Sequence, residues 1–364
     1  MGIPDTRAKL PMAIDWPLAA ATLALASIGV FNLTSAGPTP MFWHRQFLSL
    51  VLSIVTLAAI SGIDYRILMR VAYPFYAITL ILLAITVVKG TMVMGHGSWI
   101  RWGWFSMQPS EFAKLAAILA MARYFHDQRV GGPYGIKELA VPVLIAIVPI
   151  GLIMLQPDLG TTAMFTFILG SMILFAGVRK RLLIGAVVSG LAFTPIAWKL
   201  LAPHQKNRIW AFLNPQSDPM GIGYNAIQSM VAIGSGKILG KGYRLGTQTA
   251  LKYLPERHSD FAFSVLGEEW GFFGAMIVLL LFLFIVIWGL RISSQSRDRF
   301  GCLAGIGITA IIFWHSSVNV AMTLGAFPVV GIPLPFLSYG GSFLITISAG
   351  IAILMSINNR RLMF

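Results

Sequence analysis

Leu254-Pro255-Glu256-Arg257-His258-Ser259-Asp260-Phe261 passes directly into Ala262-Phe263-Ser264-Val265-Leu266-Gly267-Glu268-Glu269-Trp270-Gly271, and then into an uncharged stretch that runs to Leu290. A polar turn thus feeds a long apolar segment. About 20 such residues are enough for a helix to cross the hydrocarbon core of a bilayer. Barrel strands would alternate apolar and polar residues, and this run is continuous. The reading is a membrane-spanning helix with an acid, Asp260, at its mouth. That acid is either a helix cap or a working group.

The rest of the chain follows the same pattern. Of its 364 residues 57% are hydrophobic and only 11% charged, and the mean hydropathy is +0.77. A soluble domain carries nearer 25% charge, so lipid must be the solvent and a soluble enzyme is excluded. Ten spans are expected, at about 16–34, 43–62, 70–89, 110–125, 138–155, 159–178, 182–199, 261–290, 301–324 and 337–357, which makes the fold all-α and polytopic. The first follows Arg7 and Lys9 and resembles a signal peptide, but is read as an uncleaved span. The net charge of +14 is spread between spans rather than clustered with aromatics on a polar face, which argues against nucleic acid. Arg66, Arg70, Arg123, Arg129, Lys137, Arg179, Lys180, Arg181, Arg291, Arg297, Arg299, Arg360 and Arg361 join Arg7 and Lys9 on one side. Arg45, Lys89 and Arg101 lie in short loops on the other. The positive-inside rule then makes both termini cytoplasmic and the 200–260 segment, between spans seven and eight, a large extracytoplasmic loop. Apolar pieces in it such as Ile227 to Ile233 predict short helices on or re-entering the outer surface. Cys302, the single cysteine, reads as a small core hydrophobe.

Ionisable groups inside spans are costly and therefore informative. Glu111 and Lys114 share a helix face at spacing i, i+3 in Gln108-Pro109-Ser110-Glu111-Phe112-Ala113-Lys114. They are either a pair that fixes helix packing or the lining of a wet cavity, where Lys114 meets an anion. Asp158, in Gln156-Pro157-Asp158-Leu159-Gly160-Thr161, either caps the sixth span or faces the same cavity. In a helix starting at Asp260, Ser264, Gly267, Glu268 and Gly271 would form one polar, small-residue stripe facing protein or water, with one glutamate paired to a cation. His315 reads as a satisfied core histidine, and His258 as better placed for function. Gly234-Ser235-Gly236 and Gly240-Lys241-Gly242, with Lys237 nearby, are either turns or a cradle for phosphate. No zinc spacing, P-loop or nucleophile elbow is present.

Together these motifs resemble the SEDS family of membrane proteins over nearly the whole chain. The resemblance is carried by Gln108 to Lys114, Gln156 to Thr161, Asn214-Pro215 through Asp218-Pro219 to Gly223-Tyr224, Gln228-Ser229, Ala232 to Gly236, and Gly246-Thr247-Gln248. It continues in Pro255 to Phe261 and in Pro333-Leu334-Pro335-Phe336-Leu337-Ser338-Tyr339-Gly340-Gly341-Ser342. Gly246-Thr247-Gln248, Arg257 and Pro328-Val329-Val330-Gly331 are more similar to the RodA branch than to the FtsW branch. Ser98, Lys237 and Ser259 depart from the usual Arg, Gly and Thr of the family.

The resemblance implies a single transmembrane SEDS domain over 1–364 in the bacterial cytoplasmic membrane. It implies a peptidoglycan glycosyltransferase that polymerises lipid II at the outer face, in cell elongation and rod shape. The implied partners are a class B penicillin-binding protein and the elongation machinery. Asp260 matches the family's essential aspartate, and Glu111, Lys114 and Asp158 its cavity residues. Independent chemistry agrees: a pyrophosphate leaving group needs one base near the acceptor hydroxyl and positive charge near the phosphates, not a pair of acids. Asp260 supplies the base. Lys114, Arg208, Lys241 or Arg257 supplies charge, and a divalent cation, Mg or Mn, can assist. The 200–260 loop is expected to carry part of the active site. A lipid II flippase and a non-catalytic scaffold of the cell-wall complex are the alternatives.

Overall fold

The computed structural model describes residues 14–37, 39–93, 96–102, 105–128, 132–215, 221–251 and 253–360. Arg7, Lys9, Arg129, Arg361 and the Asp218-Pro219 motif lie outside these. Ten long helices coincide with the ten expected spans: α1 (Trp16–Ala36), α2 (Pro40–Gly62), α3 (Tyr65–Lys89), α4 (Pro109–Asp127), α5 (Ile136–Met154), α6 (Leu159–Ala176), α7 (Lys180–Leu200), α11 (Ala262–Ser294), α12 (Arg299–Thr323) and α13 (Gly341–Arg360). Among the described residues, eight helices are long and apolar enough to cross a membrane. The other two are α7 and α4; α4 carries Glu111, Lys114, Arg123 and Asp127, yet its N-terminal half is almost wholly buried. A polar helix is tolerated there because other helices, not lipid, surround it.

Small residues set the close approach of the central helices. A Cβ on Gly289 would stand 2.3 Å from Thr309 Oγ1, one on Gly305 2.3 Å from Ser293 Oγ, and one on Gly307 2.6 Å from Ile118. These contacts press α11 on α12 and α12 on α4. At the periphery α7 exposes most of its side chains, Leu191 and Phe193 among them. Asp15 and Asn358, near the two ends of the described chain, meet at one end of the bundle. Asp15 caps α1 through Leu18 N and accepts from Trp288 Nε1 at 3.0 Å and Asn358 Nδ2 at 2.7 Å.

At the opposite end lie the connections that build the site. The sequence shows no more than a short loop over 90–108. The structure folds it into an antiparallel three-stranded sheet, β1 (Thr91–Val93), β2 (His96–Trp102) and β3 (Phe105–Met107), pairing Thr91 with Trp99 and Ile100 with Met107. β1 and β3, of three residues each, leave too little alternation to read from sequence, and β2 breaks the period of two at Trp99-Ile100. The 200–260 segment forms α8 (Pro203–Leu213), α9 (Ile222–Ser235) and the single turn α10 (Thr247–Ala250), the short helices expected of it.

The long eighth span is not one continuous helix. Gly271 has φ 64° and ψ −160°, so α11 breaks there. A break leaves carbonyls before it and amides after it without helical partners. The 237–242 loop supplies them: Phe272 N and Phe273 N donate to Lys237 O and Ile238 O at 2.9 and 3.2 Å, while Lys241 N and Gly242 N donate to Glu268 O and Glu269 O at 3.0 Å. Gly240, at φ 81°, lies so close that a Cβ would sit 2.1 Å from Glu269 O. The glycine-rich loop therefore satisfies a broken helix. The phosphate-cradle reading fails for Lys241 and Gly242, whose amides are already engaged.

Candidate active site

Asp260 does not cap α11. The helix begins at Ala262 with Phe261 as its N-cap residue. The predicted stripe holds from Ser264 onward, since Ser264, Gly267 and Glu268 are all buried against protein. Asp260 instead ends a loop whose backbone is stitched to the segment between α12 and α13. Asn319 Nδ2 donates to Asp260 O at 2.8 Å and to Ile332 O at 2.6 Å. Tyr339 N donates to His258 O at 2.8 Å. Ser338 Oγ donates to Ser259 O and accepts from Leu334 N at 2.8 Å.

The Asp260 carboxylate lies against Gly331: a Cβ there would be 3.3 Å from Oδ2, and φ is 70°. The preceding residue, Val330, packs its carbonyl on Gly160 at the start of α6, 2.4 Å from where a Cβ would be. One short strip thus joins the Asp158 turn to Asp260. Burial pushes the Asp260 carboxyl up from 3.8 to about 7, and the charges of Glu256 and Asp158 act in the same direction. A hydrogen bond from Ser259 and the charge of Arg208 on α8 oppose them. A carboxyl with proton affinity near neutrality exchanges a proton readily at pH 7.

Asp158 caps α6 as one of its readings held, with Oδ1 accepting from Thr161 N at 2.9 Å and Oδ2 from Thr161 Oγ1 at 2.8 Å. Its field still reaches both Asp260 and Glu111. Glu111 and Lys114 form an ion pair at 2.9 Å, with side chains 5% and 2% exposed. Lys114 Nζ also lies 3.0 Å from His315 Nε2, a contact between α4 and α12 that sequence spacing could not show. These two are therefore a packed pair within the bundle, not freely exposed cavity ligands.

Three of the expected substrate-binding residues, Lys241, Arg257 and His258, already have protein partners. Lys241 Nζ is held by Glu268 Oε1 and Thr247 Oγ1, each at 2.7 Å. Gln248 N adds a 3.0 Å bond to the same carboxylate, so Glu268 is the stripe glutamate paired with a cation. Arg257 donates to Ala36 O at 2.9 Å and to Thr249 O, latching α1 to α10. His258 packs edge-on to Phe42 at 4.7 Å, 3.8 Å from Glu256 Oε2, and burial lowers its affinity for a proton. Arg208 is the predicted cation whose charge acts on Asp260; it also lines a shallow apolar pocket with Phe212, Met230 and Phe327. Among the described residues no group of three or more His, Cys, Asp or Glu side chains could hold a metal ion.

A model of the FtsW, RodA and SpoVE family of cell cycle proteins matches residues 16–362. The peptidoglycan glycosyltransferase MrdB of Escherichia coli K12 is 39% identical over 322 residues, covering 88% of this chain and 86% of the relative. A chain from a structure on the coordination of polymerization and crosslinking by a peptidoglycan synthase complex superposes with TM-score 0.84 at 30% identity, over 97% of this chain and 99% of that one. The rod shape determining protein RodA of Thermus thermophilus superposes with TM-score 0.73 at 27% identity and the same coverage.

Proposed function

The chain belongs to the FtsW, RodA and SpoVE family, the SEDS proteins, and from that premise we propose that it is a peptidoglycan glycosyltransferase of the cytoplasmic membrane, with Asp260 as general base. It polymerises lipid II at the outer face and serves elongation and rod shape, with both termini in the cytoplasm. One observation carries the reading: Asp260 is a partly buried acid that neither caps a helix nor forms an ion pair among the described contacts, and its proton affinity lies near neutrality.

The ionised carboxylate removes the proton of the acceptor sugar hydroxyl as that oxygen attacks the anomeric carbon. The bond to the lipid pyrophosphate breaks in the same displacement, so an α-linked donor gives a β-linked product. Arg208 is the cation best placed to receive the departing phosphate charge. The 200–260 loop contributes both residues. A divalent cation, Mg or Mn, fits here only as a passenger of the pyrophosphate, since Mg²⁺ takes one or two carboxylates and otherwise water and phosphate oxygen. A class B penicillin-binding protein is the proposed partner, and the named synthase complex supports that pairing by analogy. The confinement of Asp260, Asp158 and Glu111 to one end of the bundle favours an enzyme over a flippase, which needs charge accessible from both sides.

Purified protein incubated with lipid II tests the proposal. Glycan strands are expected, and Asp260→Asn, folded and inserted, should lower the rate by about 10²–10⁴-fold, the usual share of a general base. Normal polymerisation by that variant sinks the assignment; absence of polymer from the unsubstituted protein with its partner supports a flippase or scaffold.

A further inference from the structure

His315 and Asn319 stand one turn apart on α12, a spacing that puts both on the same helix face. Both are buried, at 2% and 0% exposure. Each binds one of two consecutive carbonyls in the strip that touches Asp260. Asn319 Nδ2 donates to Ile332 O and also to Asp260 O. His315 Nδ1 lies 3.3 Å from Pro333 O, and its Nε2 3.0 Å from Lys114 Nζ. Lys114 in turn is paired with Glu111.

The tautomer follows from the partners. A proline carbonyl only accepts and a lysine ammonium only donates, so His315 carries its proton on Nδ1 and offers a lone pair at Nε2. The ring is oriented at both ends. Its far end is anchored by a buried ion pair.

We propose that His315 and Asn319 are positioning residues that clamp the Gly331 to Pro333 strip against the Asp260 carboxylate, with the Glu111–Lys114 pair as the fixed end of the clamp. This rests on the reading of Asp260 as base, and it recasts Glu111 and Lys114 as supports behind the base instead of ligands of the substrate. Among the described residues, the charges acting on Asp260 are Glu256 from its own loop, Arg208 from α8 and Asp158 from the α6 turn, while His315 of α12 is neutral in the tautomer above. Loosening the strip therefore changes how well Asp260 is shielded from water without removing a charge. Its carboxyl then returns toward the ordinary range, and its aim at the hydroxyl is lost.

The test compares His315→Leu, His315→Gln and Asn319→Leu in lipid II polymerisation at pH 6 and pH 8, with KM and kcat measured separately. Glutamine can accept from Lys114 and donate to Pro333 O, so His315→Gln should retain kcat within about threefold. The two leucine variants should lose tenfold or more in kcat with KM little changed, and their ratio of kcat at pH 6 to that at pH 8 should rise. A lower kcat with an unchanged ratio would mean general loss of folded protein and would overturn the proposal. So would a glutamine variant as impaired as the leucine one. Should the leucine variants not fold, ¹⁵N spectra of the unsubstituted protein labelled at its six histidines still decide. A neutral Nδ1–H ring at His315, with Nε2 shifting in Lys114→Met, supports the clamp, and an Nε2–H ring refutes it. Asp260→Asn run alongside separates failures: full activity there removes the base assignment, while the tautomer result stands by itself.

Discussion

Glu256→Gln and Arg208→Ala should move the pH dependence of polymerisation in opposite directions. The Asp260 carboxyl rises from 3.8 to about 7, which at ~1.36 kcal/mol per pH unit is about 4 kcal/mol in favour of the protonated form. Burial is the largest cause, and the Glu256 charge comes next. A like charge acting through partly hydrated protein contributes about 1 kcal/mol, so its removal should lower the Asp260 value by about 0.7. With a midpoint at about 7, roughly a tenth of the enzyme is ionised at pH 6 and nine-tenths at pH 8, giving a pH 6 to pH 8 rate ratio of about 0.1. Glu256→Gln should raise that ratio to about 0.3. Arg208→Ala removes a stabilising charge and should lower it to about 0.03. The ratio matters because a variant that binds substrate poorly loses rate at both pH values alike. The assay is kcat/KM on fluorescent lipid II across pH 5.5–8.5. An acid limb unmoved by both substitutions, or moved the same way by both, would refute the electrostatic account of Asp260.

Asp260→Asn should also raise the melting temperature in detergent at pH 8. A folded-state value above the unfolded one means that ionisation disfavours the fold: the cost is absent below about pH 4, grows between pH 4 and 7, and is complete above about 7. A drop in melting temperature at pH 8 would instead restore the helix-cap reading. Lys241→Met leaves Glu268 buried without its cation and should destabilise by about 3–5 kcal/mol, and adding Glu268→Leu should recover much of that in detergent unfolding. Gly240→Ala forces a Cβ into the Glu269 carbonyl at a positive φ; a loss of about 2 kcal/mol or more is expected, and an unaltered melt would show that the loop does not need to touch α11.

Membrane composition made the ten long helices legible, because continuous apolar length survives any detail of packing. The same signal was silent on the 90–108 sheet, where β1 and β3 are too short for a period and β2 does not alternate strictly. It was misleading at Gly271, where a break costs nothing in hydropathy. Spacing along one helix paired Glu111 with Lys114 correctly. It could not supply His315, which arrives from α12, about 200 residues away in sequence. Asp260, Asp158 and Arg208 were all nominated from sequence, and the charges of Asp158 and Arg208 both act on the Asp260 carboxyl. Lys241 and Arg257 were candidates for substrate charge and His258 for its place beside Asp260, and the fold engages each of them elsewhere.

The break at Gly271 also gives the site a depth. Phe272 and Phe273, the first residues past it, are 57% and 58% exposed, as side chains in contact with acyl tails would be. From Phe272 to Arg291 the helix rises about 30 Å at ~1.5 Å per residue, the thickness of the hydrocarbon core. In the proposed orientation, Gly271 then marks the outer boundary of the tails. The Ala262 to Trp270 turns stand above it, at most about 14 Å tall. In the orientation and function proposed above, Asp260 then stands at the level of the outer-leaflet phosphates, where a sugar carried on a lipid pyrophosphate would meet the proposed base without leaving the membrane.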